Sequence, residues 1–256
     1  MKKYLRAFLI TCIVLVIMFN IGLLAKSYFE SMVQGIIYNQ GWDIRSRMQS
    51  IACDQTAVFV MEHMPKVPAF PDKYHLFDQC LESIDPNLSD GLYCEFGVYT
   101  GGTINYIASK TSHTIHGFDS FEGLPEAWRT GFETGAFSMS KLPKVRDNVK
   151  LHKGWFDESL PLWANNYSGP IAFMHLDADL YSATKTVFEI LGDRIVHGTV
   201  IQFDEYFNYP GWQNGEYKAF MEFLEMYNVN FEYIGYCDRH EQVAVRITDI
   251  ASPTAN

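Results

Sequence analysis

The rhythm of apolar and polar residues changes three times along this chain. From Ala7 to Ala25 nineteen residues are apolar apart from Thr11 and Asn20, with Lys2, Lys3 and Arg6 ahead of them. That length suffices to span a bilayer and exceeds the usual apolar core of a cleaved signal peptide. Residues 1–26 are therefore expected to form a hydrophobic membrane-anchor helix. A helix packed in the fold or in a dimer interface, and a cleaved leader, are the alternatives. Residues 27–71 read as a helical lead-in, with apolar positions at Met32, Ile36, Ile37, Val58, Val60 and Met61, and then a Pro-rich linker. In Met64-Pro65-Lys66-Val67-Pro68-Ala69-Phe70-Pro71 three prolines forbid one continuous helix.

The third regime, residues 72–250, is expected to be the main domain. Tyr74 to Ile84 has the spacing of a short amphipathic helix. From Gly91 onward apolar runs of strand length alternate with helical spacing. Thr114–Phe118, Val149–Lys153, Ile171–Leu176 and Thr199–Phe203 read as strands, and Ser182–Leu191 and Glu216–Met226 as helices. Phe231–Gly235 and Gln242–Ile247 read as a hairpin at the sheet edge. Regular alternation predicts an α/β domain with a mainly parallel sheet covered on both faces.

The most informative local pattern is Cys94-Glu95-Phe96-Gly97-Val98-Tyr99-Thr100-Gly101-Gly102-Thr103, which lies between a strand and a helix start at Ile104. Glycines let the backbone turn sharply and approach a ligand, and N–H groups at a helix start favour polar or anionic atoms. The spacing is Glu-x-Gly-x-x-x-Gly rather than the Gly-x-Gly-x-x-Gly of nicotinamide-binding folds. An acid ahead of the first glycine suits a ligand with a cationic amino-acid end, which points towards S-adenosylmethionine.

Ligands of open α/β sheets bind at the carboxyl ends of strands. Asp119 ends one strand, about twenty residues past the glycine turn, where an acid commonly takes ribose hydroxyls. Gly154, Trp155 and Phe156 follow another, and the two aromatics are candidates for a wall against the adenine ring. His175-Leu176-Asp177-Ala178-Asp179-Leu180-Tyr181 and Phe203-Asp204-Glu205-Tyr206 bring four carboxylates to the same edge. Such an oxygen-rich group suits Mg²⁺. A metal there would hold a substrate hydroxyl and lower its pKa, with Asp177 or Asp179 as the candidate base. The other seven histidines lack ligand spacing.

Composition narrows the classes. A formal charge of −10 argues against a nucleic-acid partner. Five scattered cysteines without Cys-x-x-Cys spacing read as reduced thiols rather than a disulfide framework or a zinc site. The charge bias of Lys2, Lys3 and Arg6 would export the domain, whereas thiols and a cytosolic cofactor favour the opposite orientation. The expected location is the membrane, through a single N-terminal anchor, with the catalytic domain facing the cytosol.

Several ordered blocks resemble the macrocin O-methyltransferase family of class I S-adenosylmethionine-dependent methyltransferases, over about residues 64–247. They are Glu95 to Gly102, His116-Gly117-Phe118-Asp119-Ser120-Phe121-Glu122-Gly123-Leu124-Pro125, Gly154-Trp155-Phe156-Asp157-Glu158-Ser159-Leu160-Pro161, His175 to Tyr181, and Phe203 to Tyr206. The resemblance implies a Rossmann-like α/β fold with a seven-stranded sheet, and Mg²⁺-dependent methylation of a hydroxyl on a natural-product sugar. It implies cofactor contacts from Glu95, Phe96, Gly97, Tyr99, Thr100, Gly101, Gly102 and Thr103, and from Asp119, Ser120 and Phe121. It implies metal ligation by Asp177, Asp204 and Glu205, with Asp179 able to replace Asp177. The apolar N-terminus lies outside the family pattern, so glycolipid as well as small-molecule acceptors are open, and homo-oligomerisation is open too. Two rivals remain: a membrane-anchored sugar-nucleotide glycosyltransferase using Asp177-Ala178-Asp179, and a non-catalytic binding module that keeps the fold.

Overall fold

The computed structural model describes residues 18–35 and 43–250, in two units divided after Ile51. In the first unit residues 18–35 are helical (α1), and Lys26 and Glu30 pair across one turn at 3.8 Å. Residues 1–17 of the expected anchor lie outside the described residues. Among the described residues no helix is long and apolar enough to cross a membrane. This corrects the expected anchor and membrane location: the described helix carries Lys26 and Glu30 near its middle and lacks the uninterrupted apolar length that a span needs. Helix α2 (Ile44–His63) begins in the first unit and ends in the second. Its start is capped by Asp43, whose carboxylate accepts from the Arg45 N–H and the Ser46 hydroxyl.

The second unit is built on one eight-stranded sheet. The Pro-rich segment contributes β1 (Ala69–Phe70), and α3 (Lys73–Glu82) follows under an Asp72 N-cap that accepts from the N–H groups of Tyr74 and His75. Then come β2 (Leu92–Phe96), α4 (Gly102–Lys110), β3 (Ile115–Asp119), β4 (Val149–Lys153), α5 (Phe156–Asn166), β5 (Ile171–Leu176) and α6 (Tyr181–Leu191). The chain closes with β6 (Ile195–Phe203), α7 (Glu216–Tyr227), β7 (Val229–Cys237) and β8 (Val243–Ile250).

Strand order is β1-β7-β8-β6-β5-β2-β3-β4. All neighbours are parallel except β8, which runs antiparallel to both β6 and β7. The expected seven strands are present. The late hairpin lies at this side of the sheet with β8 between β6 and β7, and one detail differs from expectation: the Pro-rich linker pairs along β7 and covers its outer edge (Ala69 with Tyr236, Phe70 with Cys237). A short strand from a proline-bearing segment is a common way to cover an edge.

Both sheet faces are buried, which explains why β5 is apolar almost throughout. One core packs Leu160, Trp163, Val187, Phe188, Phe220 and Phe223, from α5, α6 and α7, against the sheet. The other packs Leu76, Phe77, Cys80, Ile104 and Ile107 from α3 and α4. The chain runs outward from β2 to β4, then returns to place β5 on the opposite side of β2. The crevice above β2 and β5 is therefore the switch point at which open α/β sheets take ligands.

Candidate active site

Gly97 follows β2 with φ +93°, and its N–H donates to the Phe118 carbonyl at 2.9 Å. A Cβ at this position would lie 1.8 Å from the Asp177 carbonyl oxygen, so only glycine lets the ends of β2 and β5 come this close. The turn is tied down by Asp119. Its Oδ2 accepts the N–H groups of Val98 (2.9 Å) and Tyr99 (2.8 Å), and its Oδ1 accepts that of Phe121 (2.6 Å). Gly101, at φ +81°, starts α4 with no side-chain cap. Across β3, the Gly154 N–H donates to the Asp119 carbonyl, and Trp155 and Phe156 open α5.

These pieces form one half of a cavity of about 610 Å³. The other half is acidic. Asp177 and Asp179 follow β5, and Asp204 and Glu205 follow β6. All four line the cavity. Carboxylate oxygens of Asp177, Asp179 and Glu205 converge within 4.8 Å, as do atoms of His175, Asp177 and Asp204. The expected metal triad of Asp177, Asp204 and Glu205 is thus divided between two overlapping sets that share Asp177. The Glu205 Oε2 is buried without a hydrogen-bond partner.

Cations sit beside the acids. The Lys73 Nζ donates to both oxygens of Asp204, at 3.1 and 3.2 Å. His175 lies fully buried between Glu95 (Nδ1 to Oε2, 3.1 Å) and Asp204 (Nε2 to Oδ1, 3.6 Å). The second separation is that of an ion pair, too long for a hydrogen bond. Burial opposes charge on His175, but Asp204 and Glu95 outweigh it and raise its pKa to about 10. Burial likewise opposes charge on Lys73, and Asp204 and Asp177 overcome it, holding its pKa above the ordinary lysine range. For Asp204, burial pushes upward but His175 and Lys73 prevail, lowering it to about 2. Burial and Asp204 together raise Asp177 and Glu205 well above the usual carboxylate range, and raise Asp179 to about 7.

Glu216, fully buried at the start of α7, knits the two acid-bearing loops together. Its Oε1 accepts from the Ala178 N–H and the Thr184 hydroxyl, each at 3.3 Å, and its Oε2 from the Glu205 N–H at 3.2 Å. Over the cavity, the segment between β3 and β4 contributes Trp128, Arg129, Phe132 and Phe137. One Arg129 nitrogen reaches both Glu241 oxygens at 3.0 and 2.9 Å, and the guanidinium lies 3.8 Å from the Trp128 ring centroid.

Of the residues expected to meet the cofactor, Gly97, Tyr99, Asp119, Ser120, Gly154, Trp155 and Phe156 line the cavity. Phe96 instead stacks on Phe118 inside the core, and Phe121 is buried with φ +56°. Thr100, Gly101, Gly102 and Thr103 form the turn and the α4 start and are not among the lining residues. Glu95 is fully buried, accepting from the Thr103 hydroxyl and held by His175. Asp177, Asp179, Asp204 and Glu205 are together at the cavity's acid end. Sequence reasoning missed Lys73, Arg129 and Glu216. The only signal for Lys73 was its place at a helix start after Pro71-Asp72; Arg129 and Glu216 gave none.

Residues 72–231 match the family model described as macrocin-O-methyltransferase (TylF). A curated relative from Streptomyces olivaceus, named 8-demethyl-8-(2,3-dimethoxy-alpha-L-rhamnosyl)-tetracenomycin-C 4'-O-methyltransferase, is 28% identical over 50% of this chain. The match spans 57% of that relative's length. Among solved structures, the O-methyltransferase NovP superposes with TM-score 0.52 at 21% identity, covering 69% of this chain and 79% of its own. CalS11, a calicheamicin methyltransferase, gives TM-score 0.51 at 22% identity, covering 84% of this chain and 85% of its own. At these identities the two structures establish the fold alone.

Proposed function

This chain belongs to the macrocin O-methyltransferase family, and from that premise we propose that it transfers a methyl group from S-adenosylmethionine to a hydroxyl of a sugar-containing small molecule. The single observation that carries this reading is the two-part cavity at the switch point. A glycine turn, Asp119 and Trp155 stand on one side of it, and four converging carboxylates on the other. The rhamnosyl substrate in the relative's name supports a saccharide acceptor. The glycosyltransferase rival leaves the acid-tied glycine turn without a role, and the binding-module rival predicts cofactor binding without turnover.

In this reading the nucleoside rests against Gly97, Tyr99 and Trp155, with its ribose at the Asp119 carboxylate. The Asp119 Oδ1 has accepted only one N–H, so it retains acceptor capacity for a hydroxyl. The aromatic side chains of the β3–β4 segment shield the site and give an acceptor sugar an apolar face to lie against. The acceptor oxygen attacks the sulfonium methyl in line, so a C–O bond forms as the C–S bond breaks and S-adenosylhomocysteine leaves. The hydroxyl proton passes to Asp177 or Asp179. Holding both substrates in one enclosed cavity makes the encounter effectively intramolecular.

The donor set fits Mg²⁺: the ligands are carboxylates, and Glu205 leaves a buried oxygen with no partner. Asp177, Asp179 and Glu205 would hold the ion, with Asp204 beside them. When bound, it polarises the acceptor hydroxyl and favours its deprotonation. The test is calorimetric titration of the full chain with S-adenosylmethionine, with and without Mg²⁺. It is paired with transfer of a radiolabelled methyl group to a panel of deoxysugar glycosides. Cofactor heat and label on the glycoside are expected. No heat at millimolar cofactor would refute the methyltransferase reading, and transfer unaltered by chelation would refute the metal's part.

A further inference from the structure

The acid half of the cavity contains a cation of its own, supplied from outside the conspicuous motifs. Lys73 is the first residue of α3 and lies 131 positions from Asp204 in sequence. Its position is fixed twice. The preceding β1 pairs with β7, and the Asp72 carboxylate caps the same helix start. From there the side chain lines the cavity and its Nζ spans both oxygens of Asp204.

That geometry is incompatible with a divalent ion on the same carboxylate edge. Mg²⁺ binds oxygens at about 2.0–2.1 Å. An ammonium hydrogen-bonded across both oxygens leaves no room there and repels a dication strongly at so short a range. Yet the cluster invites a cation beyond Lys73. The Glu205 Oε2 is buried, in a residue only 6% exposed, and has no partner. Glu205 belongs to the set with Asp177 and Asp179, and Asp204 belongs to the neighbouring set that shares Asp177.

We propose that Lys73 is a resident counter-cation which competes with divalent metal for the acid cluster, holding Asp204 when metal is absent and thereby setting the metal affinity. This rests on the reading above that the cluster takes Mg²⁺. Lys73 is here a positioning residue. Without metal its ammonium, together with His175, offsets the charge of the neighbouring carboxylates. A metal in the acid cluster that also draws in Asp204, whose set shares Asp177, has to displace Lys73 from it, so part of the binding free energy is spent on breaking that pair.

The test uses the full chain with Mn²⁺ as the probe, its affinity read by electron paramagnetic resonance. Lys73→Met keeps the apolar stem and removes the charge; Lys73→Arg keeps the charge. The Met variant is expected to bind Mn²⁺ at least tenfold more tightly than wild type, and to melt lower in chelator while regaining its melting temperature with Mg²⁺. The Arg variant should stay near wild type. Equal Mn²⁺ affinity in wild type and Lys73→Met overturns the competition and leaves the metal reading standing. Mn²⁺ bound by the Met variant but not by wild type supports the competition and overturns Mg²⁺ assistance. Binding by neither overturns both. Wild-type protein gives a measurement independent of variant folding. Reductive methylation of Lys73, read by peptide mass spectrometry, should rise when Mg²⁺ is added; labelling that Mg²⁺ leaves unchanged overturns the proposal.

Discussion

Replacing Gly97 by alanine tests the claim that one close backbone approach sets the floor of the cavity. Two costs are separable in the structure. At φ +93° an L-residue is strained by roughly 1–2 kcal/mol. The added Cβ would also lie 1.8 Å from the Asp177 carbonyl oxygen and 2.7 Å from its carbon, which are backbone atoms with no rotamer to change. Restoring ordinary contact requires the ends of β2 and β5 to part. That breaks the Asp177 N–H to Phe96 carbonyl bond and strains the Gly97 N–H bond to Phe118, at about 1 kcal/mol each. The sum is about 3–4 kcal/mol, or a fall in melting temperature on the order of 6–16 °C for a domain of this size. Because Asp177 moves with its backbone, Mn²⁺ affinity should fall as well. Gly102→Ala is the internal control: nothing lies within 4 Å of its would-be Cβ and its backbone is helical, so it should be neutral or stabilise by about 0.4–1 kcal/mol. A Gly97→Ala protein melting within about 2 °C of wild type would refute the reasoning, and so would a Gly102→Ala protein that falls as far.

Asp119→Asn replaces one acceptor oxygen with an NH₂ group, so either the Val98 and Tyr99 pair or Phe121 is left facing a donor. Cofactor affinity by calorimetry should drop at least tenfold and stability by about 1.5–3 kcal/mol; unchanged affinity would remove Asp119 from the cofactor site. Glu216→Gln removes one of the acceptors joining the Ala178 and Glu205 loops. It should weaken Mn²⁺ binding more than cofactor binding, and equal losses would mean a merely global effect. His116 predicts an acid sensitivity remote from the cavity. Trp163 Nε1–H can only donate, so the His116 Nδ1 it reaches is unprotonated, and burial followed by His152 pushes the His116 pKa down to about 4. With the folded value below the ordinary 6.5, its stabilising contribution is full above pH 6.5 and is lost as pH falls towards 4. The denaturation midpoint of wild type should therefore decline across that window more steeply than that of His116→Phe; parallel slopes would contradict the assignment.

What the sequence displayed, and what it hid, follows from the range over which each signal acts. Strands β2 and β5 and the end of β6 are apolar runs because both sheet faces are covered there, and the strands from β2 to β6 end at glycine or acid where the chain turns. Those are local signals. Lys73 with Asp204 and Arg129 with Glu241 pair across 131 and 112 positions, and periodicity names the face of an element, never its partner. The short β1 was hidden for the same reason, since two residues carry no rhythm and only the edge of β7 defines them. Glu95 was the instructive case. Its place in the glycine motif suggested ligand contact, yet it belongs to a strand buried on both faces, where an ionised side chain needs an internal partner. The partner was visible in outline: His175 also interrupts an apolar strand, and the two are register neighbours on β2 and β5.

That pairing joins the halves of the site. Lys73, Asp204, His175, Glu95 and Thr103 form a buried succession from the acid cluster to the first turn of α4. Charge alternates along it from Lys73 to Glu95, and the Thr103 hydroxyl closes it. Its centre is the least tolerant: removing His175 leaves Glu95 fully buried with only the Thr103 hydroxyl, commonly at a cost of about 3–5 kcal/mol. Residues beneath the cofactor turn and residues beneath the acids are thus bound to vary together. The β3–β4 segment with Trp128 and Phe132 meets the cavity from above and belongs to neither, so it is free to change. On the proposed reading, acceptor preference can therefore diverge there while the groups below it stay in place.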